Sequence, residues 1–305
     1  MLYDLIVIGG GPAGLTAALY ARRADKSVLV IEKETFGGQI TFSPKVENIP
    51  GFLSLSGNEY AEKLVEQILE QGVDTEYAEV TGVETDGEKK VVHTDDGHSF
   101  RGRALVIATG AKHRRLGLPR EEEFVGEGIS FCAVCDGAFY SGKTVAMIGG
   151  GNSALQEAIL LSGLVKKLYL VQNLDFLTGE ARLCRQVEQK ENIEIILGHV
   201  VDAYLGEKEL TGLRIKSEKT GQTRELDVDG VFLAVGLEPQ NGPFASLVEL
   251  DGRGYVAADE GCRTKTRGVF VAGDCRTKRI RQVTTAASDG AIAALAACDY
   301  LDGRD

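Results

Sequence analysis

Apolar positions along this chain follow two rhythms. Short runs such as "DLIVI" (4–8), "SVLVI" (27–31), "RALVI" (103–107), "TVAMI" (144–148), "LYLV" (168–171) and "GVFVA" (268–272) are almost wholly apolar. That is the pattern of strands buried on both faces rather than one. Between them lie longer stretches with helical spacing, notably "PAGLTAALYARR", "NSALQEAILLSG" and the segment from about Val283 to Leu301. Alternation of these two patterns predicts an α/β fold built on parallel sheets.

Two strand-to-helix junctions carry glycine signatures. After the first strand comes Gly9-x-Gly11-x-x-Gly14, and the next strand ends on Glu32. Glycines of this spacing allow a tight turn, close approach of backbone to a pyrophosphate and close helix packing, and the helix start offers N–H groups to the anion. An acid about twenty residues on can accept hydrogen bonds from a ribose. The pattern returns as Gly149-x-Gly151-x-x-Ala154, again between a strand and a helix. Two such units predict two Rossmann-like three-layer dinucleotide-binding domains. Because strand "RGVFVAGDC" and a long helix follow the second unit, the first domain is expected to be interrupted. It would comprise 1–112 and 242–305, with 113–241 inserted.

Just before the second unit, "SFCAVCDGAFYSG" places Cys132 and Cys135 three positions apart with Asp136 directly behind. A zinc clip would need two more ligands at matching spacing, and His93, His98, His113 and His199 do not provide them. No metal is expected. A redox pair and a static staple remain, and the compartment bears on that choice. The chain opens directly on a strand pattern and contains no apolar run of membrane-spanning length, so a cytoplasmic location is expected. There a Cys-x-x-Cys is more often catalytic than structural. Charge narrows the partners: a net −11 argues against nucleic acid and anionic membranes. Cys184, Cys262, Cys275 and Cys298 stand alone and read as small hydrophobes.

The segments "GGGPAG", "GGQI", "VENIPGF", "ATGA", "FCAVCDGAFY", "GGGNSA" and "AGDC…RQVTTAASDG", in this order and over nearly the whole length, resemble the low-molecular-weight bacterial thioredoxin reductases. These are FAD-dependent pyridine-nucleotide disulfide oxidoreductases. The resemblance implies that FAD is held by Gly9, Gly11, Gly14, Glu32, Gln39, Asn48, Gly110, Asp274, Arg281 and Gln282. It also implies that Cys135 faces the flavin, that Cys132 is the interchange thiol, and that Asp136 is the acid/base. A helix cap is the plainer role for that aspartate. A cytoplasmic homodimer reducing thioredoxin or a similar small dithiol protein is implied too. So is a rotation of the second domain, since one cysteine pair must serve both a buried flavin and a protein disulfide.

The chain departs from the family in one place. NADPH-dependent members carry His-Arg-Arg-x-x-x-Arg after the strand that follows the second glycine loop. Here those positions are Gln172, Asn173, Leu174 and Thr178, and no acid stands at 172 or 173 to hold an NADH ribose. Asp175 comes a few residues late. The run His113-Arg114-Arg115 lies before the glycine loop and reads as a solvated basic patch. Gly149, Gly151 and Ala154 still allow a pyrophosphate to approach. The expected donor is therefore NADH or NADPH bound atypically, or reduced ferredoxin. A reductase of another dithiol protein, or a flavin-bearing redox sensor without turnover, are the alternative functions.

Overall fold

The computed structural model describes residues 1–43 and 46–304. The chain divides into two compact units, 1–112 with 238–305, and 113–237.

The first unit opens with β1 (Leu2–Ile8), α1 (Pro12–Arg23), β2 (Val28–Glu32), α2 (Gly57–Glu70) and β3 (Asp74–Tyr77). A meander follows, of β4 (Val80–Asp86), β5 (Lys89–Thr94) and the long β6 (Ser99–Ile107). The strand β7 (Ala111–His113) then leads into the second unit.

That unit contains α3 (Glu121–Phe124), β8 (Ile129–Ser130), α4 (Ala133–Asp136), β9 (Thr144–Ile148), α5 (Asn152–Ser162), β10 (Lys167–Gln172), α6 (Ala181–Glu188) and β11 (Ile193–Leu197). An antiparallel sheet of β12 (His199–Leu205), β13 (Gly212–Ser217) and β14 (Thr223–Asp227) precedes β15 (Gly230–Leu233). The chain returns through β16 (Leu237–Pro239) and completes the first unit with β17 (Val269–Val271) and α7 (Val283–Leu301). Among the described residues no helix is long and apolar enough to cross a membrane.

The return falls at Glu238 rather than at 242. Asn241 accounts for the difference. It is buried, and its side-chain amide donates to the carbonyls of Gly254 and Cys275, both deep in the first unit.

In the first sheet β3, β2, β1, β6 and β17 run parallel, while β5 pairs antiparallel with the first half of β6 and β4 antiparallel with β5. Strand β1 shows why its sequence is apolar throughout. Leu5 and Val7 pack into one core with α1 and α7, whereas Ile6 and Ile8 pack into a second core on the opposite face. Successive side chains of a strand point to opposite faces, so both sets must be apolar. The second unit repeats the arrangement with the order β11-β10-β9-β15-β8, all parallel. Val145 and Met147 of β9 enter one core, Ala146 and Ile148 the other.

The alanine-rich α7 lies tightly on α1. A Cβ placed at Gly290 would stand 2.2 Å from the Ala13 carbonyl oxygen and 3.0 Å from Thr16 Cβ. The first of these is backbone and cannot swing away. Gly290→Ala is therefore expected to force the two helices apart and cost roughly 1–3 kcal/mol. A thermal unfolding midpoint unchanged by this substitution would show that the packing is looser than described.

Candidate active site

Strand β8 delivers the chain to the cysteine pair. Cys132 is the N-cap of α4 and is disulfide-bonded to Cys135, with Cα atoms 5.3 Å apart. The Cys135 N–H donates to Cys132 Sγ at 3.2 Å, and the Asp136 N–H donates to the Cys132 carbonyl at 3.0 Å. The sulfur thus replaces the oxygen of an ordinary N-cap side chain. Val134, between the cysteines, and Phe139 just beyond are exposed.

Asp136 does not cap a helix. No side-chain capping bond forms where the 3-10 turn 137–140 begins. Its Oδ2 accepts from Ser130 Oγ at 2.5 Å, and its buried Oδ1 has no hydrogen-bond partner among the described residues. Burial raises the Asp136 pKa, against the opposing pull of Ser130. Beside the thiols there is thus a carboxyl inclined to hold a proton.

A second carboxyl reaches the same turn. Glu157, on α5, accepts from the Ala133 N–H at 3.2 Å through Oε2. Burial pushes its pKa up to about 7, partly opposed by that N–H. Sequence reading passed over it, although a signal was present: 154, 157, 158 and 161 share one helix face, and only Glu157 among them is polar.

His113 is not solvated as its basic neighbours suggested. It is half-buried and stacks on Phe131, ring centroids 4.9 Å apart, and burial lowers its pKa to about 4. Loss of water around the half-buried ring disfavours its charged form, so the imidazole lies against Phe131 neutral. Arg114 and Arg115 are exposed, and Arg115 pairs with Glu122.

In the first unit the residues expected around a dinucleotide converge on the ends of the parallel strands. Gly9 has φ 106°, and the Gly10 N–H donates to Glu32 Oε2 at 2.6 Å. Gly9, Glu32, Lys33, Glu79, Thr109 and Phe244 help line a cavity of about 340 Å³. Asn48 Nδ2 donates to Gln282 Oε1 at 3.1 Å, bringing these two together. Arg281 donates to the Asp274 and Arg276 carbonyls and lies over Tyr255. Gly110 adopts φ 67°, and Gln39 is exposed in the 3-10 turn Gly38–Phe42.

Asp274 Oδ1 is buried with no hydrogen-bond partner among the described residues, and burial raises its pKa to about 6, with Lys278 and Arg281 pulling the other way. An orphaned buried acceptor, a glycine turn and a cavity at the strand ends fit the sugar-phosphate portion of FAD. Sequence reading missed the group behind Asp274. Asp289 of α7 accepts two bonds from Arg276, one from Lys278 Nζ at 2.8 Å and one from the Gly273 N–H at 3.0 Å. Burial opposes its ionisation, but the two cations outweigh that and lower its pKa. The tie fixes the backbone immediately before Asp274.

The second glycine turn has the same geometry. Gly149 has φ 128°, and Gly151 is the N-cap of α5. Gln172 ends β10 as Glu32 ends β2, and its side-chain amide lies 2.7 Å from where a Gly150 Cβ would stand. The neutral Gln172 therefore takes the place of the ribose-binding acid. Thr178 is brought to the loop, its N–H bonding the Gly150 carbonyl at 2.8 Å. Asn173 and Leu174 are exposed. Asp175 pairs with Lys219 at 2.8 Å and does not replace the missing acid.

Two glycine-turn α/β units in one chain, one bearing a cysteine pair beside a buried carboxyl, define a two-dinucleotide-fold protein with a disulfide centre. A family model described as pyridine nucleotide-disulphide oxidoreductase matches residues 3–290, and the chain belongs to that family. It is 40% identical to the thioredoxin reductase of Treponema pallidum, over 98% of this chain and 97% of that one. It is 41% identical to a protein of Clostridium pasteurianum named as a 34.2 kDa protein in the rubredoxin operon, over 99% and 98% of the two. The crystal structure of thioredoxin reductase from Streptococcus pyogenes superposes with a TM-score of 0.88 at 39% identity, covering 99% of both chains.

Asp274 supplies a test of the flavin-side geometry. Its folded pKa is raised, so its contribution to stability is fully present below the unfolded value of 3.8 and is lost as pH rises through about 6. Asp274→Asn is expected to unfold less readily than the parent above pH 6 when both are stripped of flavin, with an unfolding free energy higher by up to roughly 3 kcal/mol. The difference should vanish near pH 4. A variant that melts lower than the parent at pH 8 would contradict the assigned burial.

Proposed function

We propose that this protein is a thioredoxin-disulfide reductase in which Cys132 and Cys135 form the working disulfide. The observation that carries this reading is the Cys132–Cys135 pair at the start of α4 with the buried Asp136 carboxyl beside it. Near-full-length similarity to named thioredoxin reductases supports the choice of substrate.

Gly9, Gly11, Gly14, Glu32, Gln39, Asn48, Gly110, Asp274, Arg281 and Gln282 are the residues that would hold FAD. Bound FAD supplies the electron pair that opens the disulfide. Cys132, whose sulfur accepts the Cys135 N–H, is the thiol best placed to ionise. As thiolate it attacks one sulfur of the partner's disulfide and forms a mixed disulfide, while the partner's other sulfur leaves and takes a proton. Cys135 then attacks Cys132 Sγ, re-forming the internal disulfide and releasing the partner as a dithiol. Asp136 receives and returns the protons of these steps.

The donor is a nicotinamide nucleotide held atypically at Gly149, Gly151 and Ala154. The observation that favours a second donor, reduced ferredoxin, is that Gln172, Asn173, Leu174 and Thr178 offer no cation to a 2′-phosphate. The protein acts as a cytoplasmic homodimer on this reading.

Cys132→Ser and Cys135→Ser should each abolish thioredoxin reduction while leaving flavin content and reduction of small artificial acceptors intact. Asp136→Asn should slow thiol–disulfide exchange by roughly 10²–10⁴-fold. Turnover of thioredoxin by either cysteine variant would overturn the mechanism.

A charge-assisted hydrogen bond to phosphate contributes about 1.5–3 kcal/mol, and Gln, Asn, Leu and Thr cannot replace the bidentate grip of Arg. Losing two such bonds should weaken NADPH binding by roughly 10²–10⁴-fold. Stopped-flow flavin reduction should therefore show no preference for NADPH over NADH. Gln172→His, Asn173→Arg, Leu174→Arg and Thr178→Arg together should create one. Fast reduction of the parent by micromolar NADPH, well ahead of NADH, would place the phosphate on another basic group.

A further inference from the structure

We propose that Glu157 is a positioning residue of the redox centre: its carboxyl holds the start of the cysteine helix and, by its charge, sets how readily the Cys132 thiol ionises. The inference rests on the reading of the cysteine pair as the working centre and adds a second carboxyl to it.

Helix α4 begins between the two cysteines, and its first N–H groups have no partner within so short a helix. The Cys135 and Asp136 N–H groups fold back on Cys132. The Ala133 N–H cannot, and Ala133 is buried, so water does not serve it either. Glu157 Oε2 accepts that bond at 3.2 Å. The carboxyl comes from a rigid element, since Ala154, Ala158 and Leu161 on the same face of α5 are fully buried.

Two carboxyls thus adjoin the cysteine turn, Asp136 of α4 held by Ser130 and Glu157 of α5 bonded to Ala133. An ionised Glu157 bonded at the residue after Cys132 opposes a second negative charge on Cys132 Sγ. A protonated one does not. With a pKa raised by burial to about 7, Glu157 changes charge across the range in which the thiol works.

The groups facing α5 in the same core allow Glu157 to act largely alone. Helix α4 presents Ala133, with its Asp136 carboxyl bonded to Ser130 instead; the following turn presents Tyr140, and α6 presents Cys184, its arginines being exposed. Strands β9 and β10 present Val145, Met147, Leu168 and Leu170. Among the described residues no side chain forms a hydrogen bond or ion pair with the Glu157 carboxyl.

The test follows alkylation of Cys132 by iodoacetamide in dithiothreitol-reduced holoenzyme, from pH 5 to 10, read by peptide mass so that the other cysteines do not contribute. The parent is expected to show two steps, because ionisation of Glu157 near pH 7 suppresses the thiolate that is forming. Glu157→Gln keeps the acceptor and removes the charge. It should give a single step, with thiolate equal to the parent's well below pH 7 and roughly tenfold more than the parent's once Glu157 is ionised, above about pH 7 and below the parent's second step. Equilibration with dithiothreitol should then find the disulfide about 30 mV easier to reduce above the thiol pKa, the two-electron equivalent of that tenfold change. Glu157→Asp keeps the charge and should retain two steps. Identical profiles and potentials for parent and Glu157→Gln would overturn the proposal, as would a single step in Glu157→Asp. None of these measurements involves thioredoxin. If the parent fails to reduce thioredoxin while the profiles separate as expected, the substrate assignment falls and the role of Glu157 stands.

Discussion

Both units depend on how closely the backbone runs at a strand-to-helix turn. A Cβ at Gly9 would sit 2.3 Å from the Ala108 carbonyl oxygen, and one at Gly149 would sit 2.5 Å from that of Ala234. In each case the neighbour is the residue just past an adjacent parallel strand, β6 or β15. The glycine therefore lets the turn nest against the sheet, and the sheet in turn aims the free N–H groups of the helix start outward from the strand ends. Any larger residue would push the turn off the sheet and spoil both the packing and the anion site at once.

From that shared geometry the two units diverge by single side chains. At the first turn Glu32 accepts the Gly10 N–H, and its other oxygen accepts the Glu34 N–H. At the second, Gln172 fills the same position under Gly150 without a charge. The backbone cradle persists while the groups that would choose between nucleotides do not. A site of this kind can still admit a pyrophosphate, which reads backbone, but has little means of telling NADH from NADPH, which differ only at the ribose.

The fold was readable because its constraints are local. Strands buried on both faces must be apolar at every position, and the glycine turns are short and contiguous, so "DLIVIGGGPAG" and "TVAMIGGGNSA" declare themselves. The Cys132–Cys135 pair was readable for the same reason. What escaped were side chains whose meaning depends on partners distant in sequence. Asp289 stands in an alanine-rich helix and acquires its role only through Arg276 and Lys278. His113 sits in a basic run, and nothing local shows that Phe131 covers its ring. The capping role weighed for Asp136 failed because Ser130, on the preceding strand, claims the carboxyl instead. Asn241 belongs here too: nothing in "LEPQNG" shows that its amide is buried on the carbonyls of Gly254 and Cys275.

Helix α5 joins the two chemistries of the second unit. Its first turn is the glycine cradle, with Gly151 as N-cap, and one turn further Glu157 grips the cysteine helix at Ala133. Both features sit on a single short helix whose inner face is locked into the core, so neither can shift without the other. A half-buried carboxyl on such a face is costly unless something requires it, because loss of water disfavours its charge. An apolar residue there would pack as Ala158 and Leu161 do but would leave the Ala133 N–H without a partner. The same helix that could receive a nucleotide at its tip thus also holds the cysteine turn in register, and the orphan N–H of α4 is the physical reason its inner face is not wholly apolar.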